Sequence, residues 1–326
     1  MKFAIAGATG MVGRTMLKIL EQRNLPVDEL FLFASARSAG QVLSFKGKEV
    51  EVEELDVSSF DRGIDIALFS AGAAASKKYA PIAAAKGCTV IDNSSCWRMY
   101  SDVPLVTPEV NAKDAFLSKG IIANPNCSTI QAVVALYPLH LKYGLKRIVY
   151  STYQAASGAG ASGHRDLENG LKGFAPAKFP HQLAGNAIPH IDVFLEDGYT
   201  KEEEKMINET RKIMHAPDLK ITATCVRIPV FTGHSESINA EFYKGFDMDE
   251  LVGVLKSAKG VVVQNDPASG LYPMPLSAAG TDDVYVGRIR RDASVESGVN
   301  LWVVADNVRK GAALNAVQIA ELICGR

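Results

Sequence analysis

Short apolar runs, each closed by glycine or a polar turn, set the rhythm of the first third of the chain. Lys2 to Ala6 is such a run and predicts a strand; Gly7-Ala8-Thr9-Gly10-Met11-Val12-Gly13 follows, and a helical spacing continues to about Glu21. ELFLFAS, residues 29 to 35, predicts a second strand. IDIALFSAG, ending near Ser70, predicts a third, with a helix over YAPIAAAKG behind it; CTVIDNSS and GIIANPN predict a fourth and a fifth. Apolar strands alternating with helices imply a parallel sheet covered on both faces.

From about Arg147 the pattern changes. RIVYSTYQAAS, ITATCVRIPVF, SESINAEFYKG, VVVQN, DVYVGRIRRD and VNLWVVADN are mostly longer strands with alternating stretches, and few helices separate them. They predict a second domain built on a larger sheet, mixed or antiparallel. A charged helix lies within EDGYTKEEEKMINETRKIMHA, its acidic start and basic end suited to the helix dipole. The last helix, over GAALNAVQIAELICGR, has Leu314, Val317, Ile319 and Leu322 near one side and is expected to return to the first domain. The expected division is residues 1–126 with 308–326, and residues 127–307. The fold class is α/β with an appended α+β domain.

The chain has 326 residues, which fits two domains, and a formal net charge of −1, so no global field draws nucleic acid or a membrane surface. Five cysteines stand at scattered spacings without a CxxC pair, which indicates neither a metal site nor a disulfide framework. The first apolar run is too short for a targeting segment, and no run reaches the ~18 residues of a membrane span. A reducing, cytoplasmic setting is expected.

Three constellations carry chemistry. Gly7, Gly10 and Gly13 lie between the first strand and helix, where glycines let backbone N–H groups approach a pyrophosphate; a plain packing turn is the alternative. The second strand ends in Ala34-Ser35-Ala36-Arg37-Ser38 without the acid that accepts a ribose 2′-hydroxyl. Arg37 with the hydroxyls of Ser35 and Ser38 favours a 2′-phosphate, hence NADP, over a merely solvated arginine. Cys127, between Asn126 and Ser128-Thr129, stands at a strand-to-helix junction, where helix N–H groups stabilise a thiolate. It is a nucleophile candidate, against the inert reading that suits Cys88, Cys225 and Cys324. Asn126 beside it joins the substrate-binding candidates. Of six histidines, His140 sits in a helical pattern and reads as structural. His234, at a strand exit in RIPVFTGHSES, is the better acid/base candidate. Arg98 and Arg227 are anion-holder candidates. Glu209 and Lys212 share one helix face, and unaided they read as a solvated pair.

Taken together, GATGMVG, ASARSAG, SSCWRM, NPNCSTIQ, QAASGAG, ETRK and RIPVFTGHSES, in that order, resemble the aspartate-β-semialdehyde dehydrogenase family over nearly the full chain. The resemblance implies a Rossmann-type NADP-binding domain and a catalytic and dimerisation domain with a mixed, largely antiparallel sheet, the chain forming a homodimer. It implies NADPH-dependent, reversible reduction of L-aspartyl-4-phosphate to the semialdehyde, in lysine, threonine, methionine and isoleucine biosynthesis. Cys127 would form the acyl-thioester, His234 act as acid/base, and Gln154 position the acyl group. Arg227 with Glu209 would hold the amino-acid end, and Arg98 with Lys212 the phosphate. Thr9, Gly10, Met11, Val12, Arg37, Ser38, Ser157, Gly158 and Asn307 match cofactor-contact positions. Cys96-Trp97 departs from the family pattern, which has a small residue and Phe there. Rival readings are an N-acetyl-γ-glutamyl-phosphate reductase, whose neutral acetamide leaves Glu209 without a partner, a malonyl-CoA reductase, a cysteine acyl hydrolase and a non-catalytic nucleotide sensor.

Overall fold

The computed structural model describes residues 1–325, which form two compact units: Met1–Asn126 with the stretch from Ala312 onward, and Cys127–Gly311. The return to the first unit thus begins a little beyond residue 308.

The first unit runs β1 (Lys2–Ala6), α1 (Met11–Gln22), β2 (Glu29–Ala34), β3 (Val42–Phe45), β4 (Lys48–Glu54), β5 (Ile66–Phe69), α2 (Ala73–Ala85), β6 (Thr89–Asp92), α3 (Pro108–Asn111) and β7 (Ile121–Ala123). The second runs α4 (Cys127–Tyr143), β8 (Leu145–Gln154), α5 (Gly160–Leu171), α6 (Lys201–Ile213), β9 (Lys220–Arg227), β10 (His234–Phe242), α7 (Met248–Ser257), β11 (Val261–Val263), α8 (Pro275–Ala278), β12 (Val284–Asp292) and β13 (Gly298–Ala305). The last helix, α9 (Leu314–Cys324), belongs to the first unit.

The first sheet has seven strands in the order β3-β4-β2-β1-β5-β6-β7. Its five expected strands run parallel. The hairpin β3–β4 is an addition that the sequence reading lacked, and it makes the sheet mixed: β4 lies parallel to β2 and antiparallel to β3. Its signal was present in VLSF and KEVEVEE, which alternate around Lys46-Gly47, both with positive φ as a tight two-residue turn requires. The two faces of β1 explain the layering. Phe3 and Ile5 point into a core with Met16, Ile19 and Leu20 of α1 and Leu314, Val317 and Ile319 of α9. Ala4 and Ala6 point the other way, leaving room for Phe33, Phe60 and Phe69 beneath α2. Each such fully buried large side chain contributes about 1.5–3 kcal/mol. The C-terminal helix is therefore held by the same face that holds α1.

The second sheet has six strands, β11-β12-β13-β10-β8-β9, so it is not the larger of the two in strand count, although its central strands are longer. Its middle pairs are antiparallel, while β11–β12 and β8–β9 are parallel. Between β8 and β9 the chain passes through α5 and α6. A capping box starts α6: Thr200 Oγ1 accepts from Glu203 N–H at 3.3 Å, and Glu203 Oε2 accepts from Thr200 N–H at 2.7 Å.

Residues paired across strands face the same side, so this sheet carries transverse rows. One row is Ala223, Tyr150, Ile238 and Leu301. The next is Cys225, Thr152, Glu236 and Val303, and the next again joins Arg227 with Gln154 and His234 with Ala305. This face grows more polar toward the C-terminal end of β8.

Glu236 is fully buried, and neither carboxyl oxygen has a hydrogen-bond partner. Burial pushes its pKa well above the carboxylate range, so it stays protonated in the folded protein. An unfolded glutamate ionises near pH ~4.3, so this site's contribution is fully present below that pH and is lost as pH rises toward the raised folded value. Glu236→Gln removes the titration. The variant should melt several degrees above the parent beyond pH ~7, at about 2–4 °C per kcal/mol, with the gap closing toward pH ~4. Calorimetry across that range checks it; a gap independent of pH contradicts it.

Candidate active site

Cys127 is the first residue of α4, where helix N–H groups lack intrahelical partners and the dipole favours negative charge. Its Sγ lies 3.2 Å from His234 Nε2. His234 does not stand at an open strand exit. It opens β10, is fully buried, and is gripped on both sides: Nδ1 accepts from Ala155 N–H at 3.0 Å, and its carbonyl accepts from Gln131 Nε2 at 3.3 Å. Burial first, and the Arg227 guanidinium next, push its pKa down to about 3. Burial raises the pKa of Cys88, to about 12, and that of Cys225, Cys96 and Cys324.

Gln154, at the end of β8, has its amide fixed: Nε2 donates to Ser128 Oγ and, at 2.9 Å, to Glu202 Oε1. Glu202 also pairs with Lys205 at 3.2 Å, which reaches Asp192 at 2.7 Å. The sequence reading missed Glu202. Its signal was helical periodicity, since it precedes Glu209 by two turns and so shares that residue's buried face. Glu209 itself is 1% exposed, which removes the reading of Glu209 and Lys212 as a solvated pair; Lys212 is half-buried.

Arg227, ending β9, is buried over the Phe179 ring, and its Nη1 donates to Ala155 O at 2.6 Å. Desolvation lowers its pKa, with Glu202 opposing. Gly158 separates it from the imidazole: a Cβ there would lie 2.7 Å from Arg227 Nη1 and 3.2 Å from His234 Nε2. Ser157 and Asn307 meet as well. Asn307 Nδ2 donates to Ser157 Oγ at 3.0 Å, and Asn307 Oδ1 accepts from Gly233 N–H at 2.9 Å. The second unit therefore gathers Cys127, His234, Gln154, Arg227 and Gly158 at the end of one sheet face.

In the first unit, Gly7 ends β1 with φ +86°, and a Cβ on it would lie 2.4 Å from Ser70 O, beyond β5. Chain order reverses across β1, from β2 on one side to β5 on the other, which is where open α/β sheets hold ligands. Beyond Thr9 and Gly10, α1 begins at Met11 and Val12 with no side-chain cap and no acid in its first turn. This uncapped N-terminus at a glycine turn fits a dinucleotide pyrophosphate. Ser35, Arg37 and Ser38 lie at the end of β2, with Ser35 and Arg37 exposed. Arg98 is buried, its Nε donating to Asn124 O and its Nη2 to Asn93 O, both at 3.0 Å. Asn126, also buried, closes this unit's first stretch. No group of three metal-ligating side chains occurs among the described residues.

Two family models match the chain: "Semialdehyde dehydrogenase, NAD binding domain" over residues 2–117 and "Semialdehyde dehydrogenase, dimerisation domain" over residues 136–310. A curated aspartate-semialdehyde dehydrogenase of Aquifex aeolicus (strain VF5) is 61% identical over 331 residues, covering 99% of this chain and 97% of that protein. A crystal structure of aspartate semialdehyde dehydrogenase II complexed with ASA, from Vibrio cholerae, superposes with a TM-score of 0.94 at 48% identity, covering 99% of this chain and 97% of that one. The enzyme of Candida albicans with NADP gives a TM-score of 0.78 at 25% identity, covering 99% and 98%. Matches of this extent in both units make the chain an enzyme of the aspartate-semialdehyde dehydrogenase family.

Proposed function

We propose that this enzyme reduces L-aspartyl-4-phosphate reversibly to L-aspartate 4-semialdehyde with NADPH, through an acyl-thioester on Cys127, in the biosynthesis of lysine, threonine, methionine and isoleucine. The observation that carries the reading is the sulfur of Cys127 at the head of α4, 3.2 Å from a buried imidazole. The thiolate attacks the acyl carbon and phosphate departs, its charge held by Arg98 and Lys212. Gln154, its amide fixed by Ser128 and Glu202, orients the acyl group. Arg227 binds the α-carboxylate, and the buried carboxylates of α6, Glu209 foremost, suit the ammonium; the neutral acetamide of an N-acetylated substrate would not use them. Asn126 lies next to the nucleophile in sequence and belongs with the substrate contacts. NADPH, when bound, supplies hydride. Gly7, Thr9, Gly10, Met11 and Val12 would hold its pyrophosphate, Ser35, Arg37 and Ser38 its 2′-phosphate, and Ser157, Gly158 and Asn307 its remaining contacts.

The residues alternating with the proposed catalytic row face the other side of the second sheet. There Tyr153 and Trp302 approach with ring centroids 5.4 Å apart, beside a cavity of about 320 Å³ lined by Tyr272, Pro273, Met274 and Trp302. Tyr272, Met274 and Leu276 are exposed, the last at 91%. We infer a homodimer through this face, which lies inside the segment matched by the dimerisation-domain model. The free cysteines suit a cytoplasmic enzyme.

Phosphate-dependent reduction of NADP by aspartate semialdehyde tests the activity. Cys127→Ser should lower turnover by several orders of magnitude, because serine cannot supply the thiolate; an unchanged rate removes the mechanism. Gly158→Ala should cost about 10–100-fold in kcat/KM, since the new methyl displaces Arg227 and the imidazole together. Met274→Asp with Leu276→Asp should convert a dimer into monomers in sedimentation velocity; a dimer that survives both charges places the interface elsewhere.

A further inference from the structure

Arg227 is 6% exposed, and among the described residues its side chain makes one hydrogen bond, from Nη1 to Ala155 O at 2.6 Å, and no ion pair. A buried charge in that position costs free energy until an anion meets it. The edge that carries Nε and Nη2 has no protein acceptor, and two such N–H groups side by side are what a carboxylate accepts bidentately. An edge of this kind binds well only if the long side chain behind it is already held, because ordering it at each encounter would take from the affinity.

The hold comes from a loop. Residues 172–200 join α5 to α6 and pair at the isolated bridges Ile188–Arg227 and Phe194–Thr200. Loops of this length inside a compact unit are commonly functional. At the first bridge, Ile188 N–H donates to Arg227 O at 2.9 Å and Arg227 N–H to Ile188 O at 2.8 Å, which fixes that residue's backbone on the edge opposite β8. Earlier in the same loop, Phe179 lays its ring against the guanidinium, with Arg227 Cζ 5.8 Å from the ring centroid. Residues 171–178 before it are exposed, but Phe179 is half-buried and packs with Ala156, Leu167, Leu183 and Ile188. Asp166 of α5 secures the point: its Oδ1 accepts from Ala177 N–H at 2.7 Å and its Oδ2 from Phe179 N–H at 3.0 Å. Burial works against the charge of Asp166, yet these N–H groups and that of Lys178 outweigh it and hold its pKa below the usual carboxylate value. Gly163, one turn earlier on α5, lets the helix approach the ring, since a Cβ there would lie 3.1 Å from Phe179 Cζ.

We propose that Phe179 is a positioning residue for Arg227, and that the loop carrying it, tied to α5 through Asp166 and to β9 through Ile188, holds the guanidinium edge ready for the α-carboxylate of the amino-acid substrate. This role presupposes the reading of Arg227 as the carboxylate holder. The ring acts in two ways. Its negative face offsets part of the desolvation of the cation. It also shields one face of the guanidinium from water, so the carboxylate meets a drier cation, where attraction is stronger. An aliphatic side chain would fill similar space without the negative face. Phe179 supplies neither a proton nor a bond to the acyl carbon, so its effect falls on recognition of the amino-acid end.

Two aldehydes test it in the phosphate-dependent reduction of NADP: aspartate semialdehyde, and 3-aminopropanal, which lacks only the α-carboxylate. The ratio of their kcat/KM values reads the contribution of that group. Phe179→Leu should lower the ratio about tenfold, chiefly through a raised KM for aspartate semialdehyde, and Phe179→Tyr should keep it near the parent value because its ring retains the face. Asp166→Asn, which leaves the ring but takes the charge from its anchor, should lower the ratio about threefold; should Phe179→Leu fail to fold, this variant decides by the same ratio. An unchanged ratio, including an equal loss for both aldehydes of the kind a loosened fold would give, overturns the role, and so does an equal drop in Phe179→Leu and Phe179→Tyr. Arg227→Leu separates the two readings. A ratio that survives in Arg227→Leu removes Arg227 as the carboxylate holder, whereas a ratio lost there and kept in Phe179→Leu removes the loop's role alone.

Discussion

The approach of Cys127 Sγ to His234 Nε2, at 3.2 Å, is the contact on which the chemistry proposed for the second unit depends. It is set from two directions. Helix α4 begins at the cysteine itself, so the sulfur sits at the helix end where the dipole favours negative charge. Strand β10 begins at the histidine, and its pairing with β8 and β13 fixes the ring's face to within one residue, since a slip of one would turn it to the opposite side. Helix start and strand register must agree for the pair to exist.

The two faces of that sheet are put to different uses by the same alternation. One face carries Arg227, Gln154 and His234 in a row, backed by Thr152 and Glu236 and then by Tyr150 and Ile238. The other carries Tyr153, Ser235, Ser237 and Trp302. Buried polar groups on the first face are secured in a chain: Arg227 to Ala155, Ala155 to His234, Gln154 to Ser128 and Glu202, Glu202 to Lys205. Satisfied networks of this kind rigidify a core, and rigidity is what positioned donors require. Gln154 Oε1 and both oxygens of Glu236 are exceptions, buried without a hydrogen-bond partner, and burial raises the Glu236 pKa. Their burial is a cost the fold carries in and beside the proposed catalytic row.

The first unit solves a separate problem. Gly7 and α1 form a turn that only glycine can make, because the neighbouring strand end leaves no room for a Cβ, and the helix beyond it is left without a side-chain cap. The apolar faces of β1 then recruit α1 and α9 on one side and α2 on the other. Closing this core takes the two ends of the chain together, which explains why the last helix follows the second unit in sequence yet packs in the first.

Local pattern sufficed for the alternating strands and helices of the first unit, the strands of the second, the glycine turn, and the standing of Cys127 at a helix start. Apolar periodicity and turn residues act over a few positions, and those positions lie side by side in the chain. The hairpin Val42–Phe45 with Lys48–Glu54 was equally local and was passed over because its alternation is short and highly charged. The rest required the folded chain. That Glu202 fixes Gln154, that the carbonyl and N–H of Ala155 set Arg227 and His234, and that Glu236 has no partner all depend on strand register and on helices packing from far along the chain. A backbone group carries no residue identity, and a side chain's protonation follows from its burial and neighbours. Neither can be read from the order of the letters; both follow once β8, β9 and β10 lie side by side.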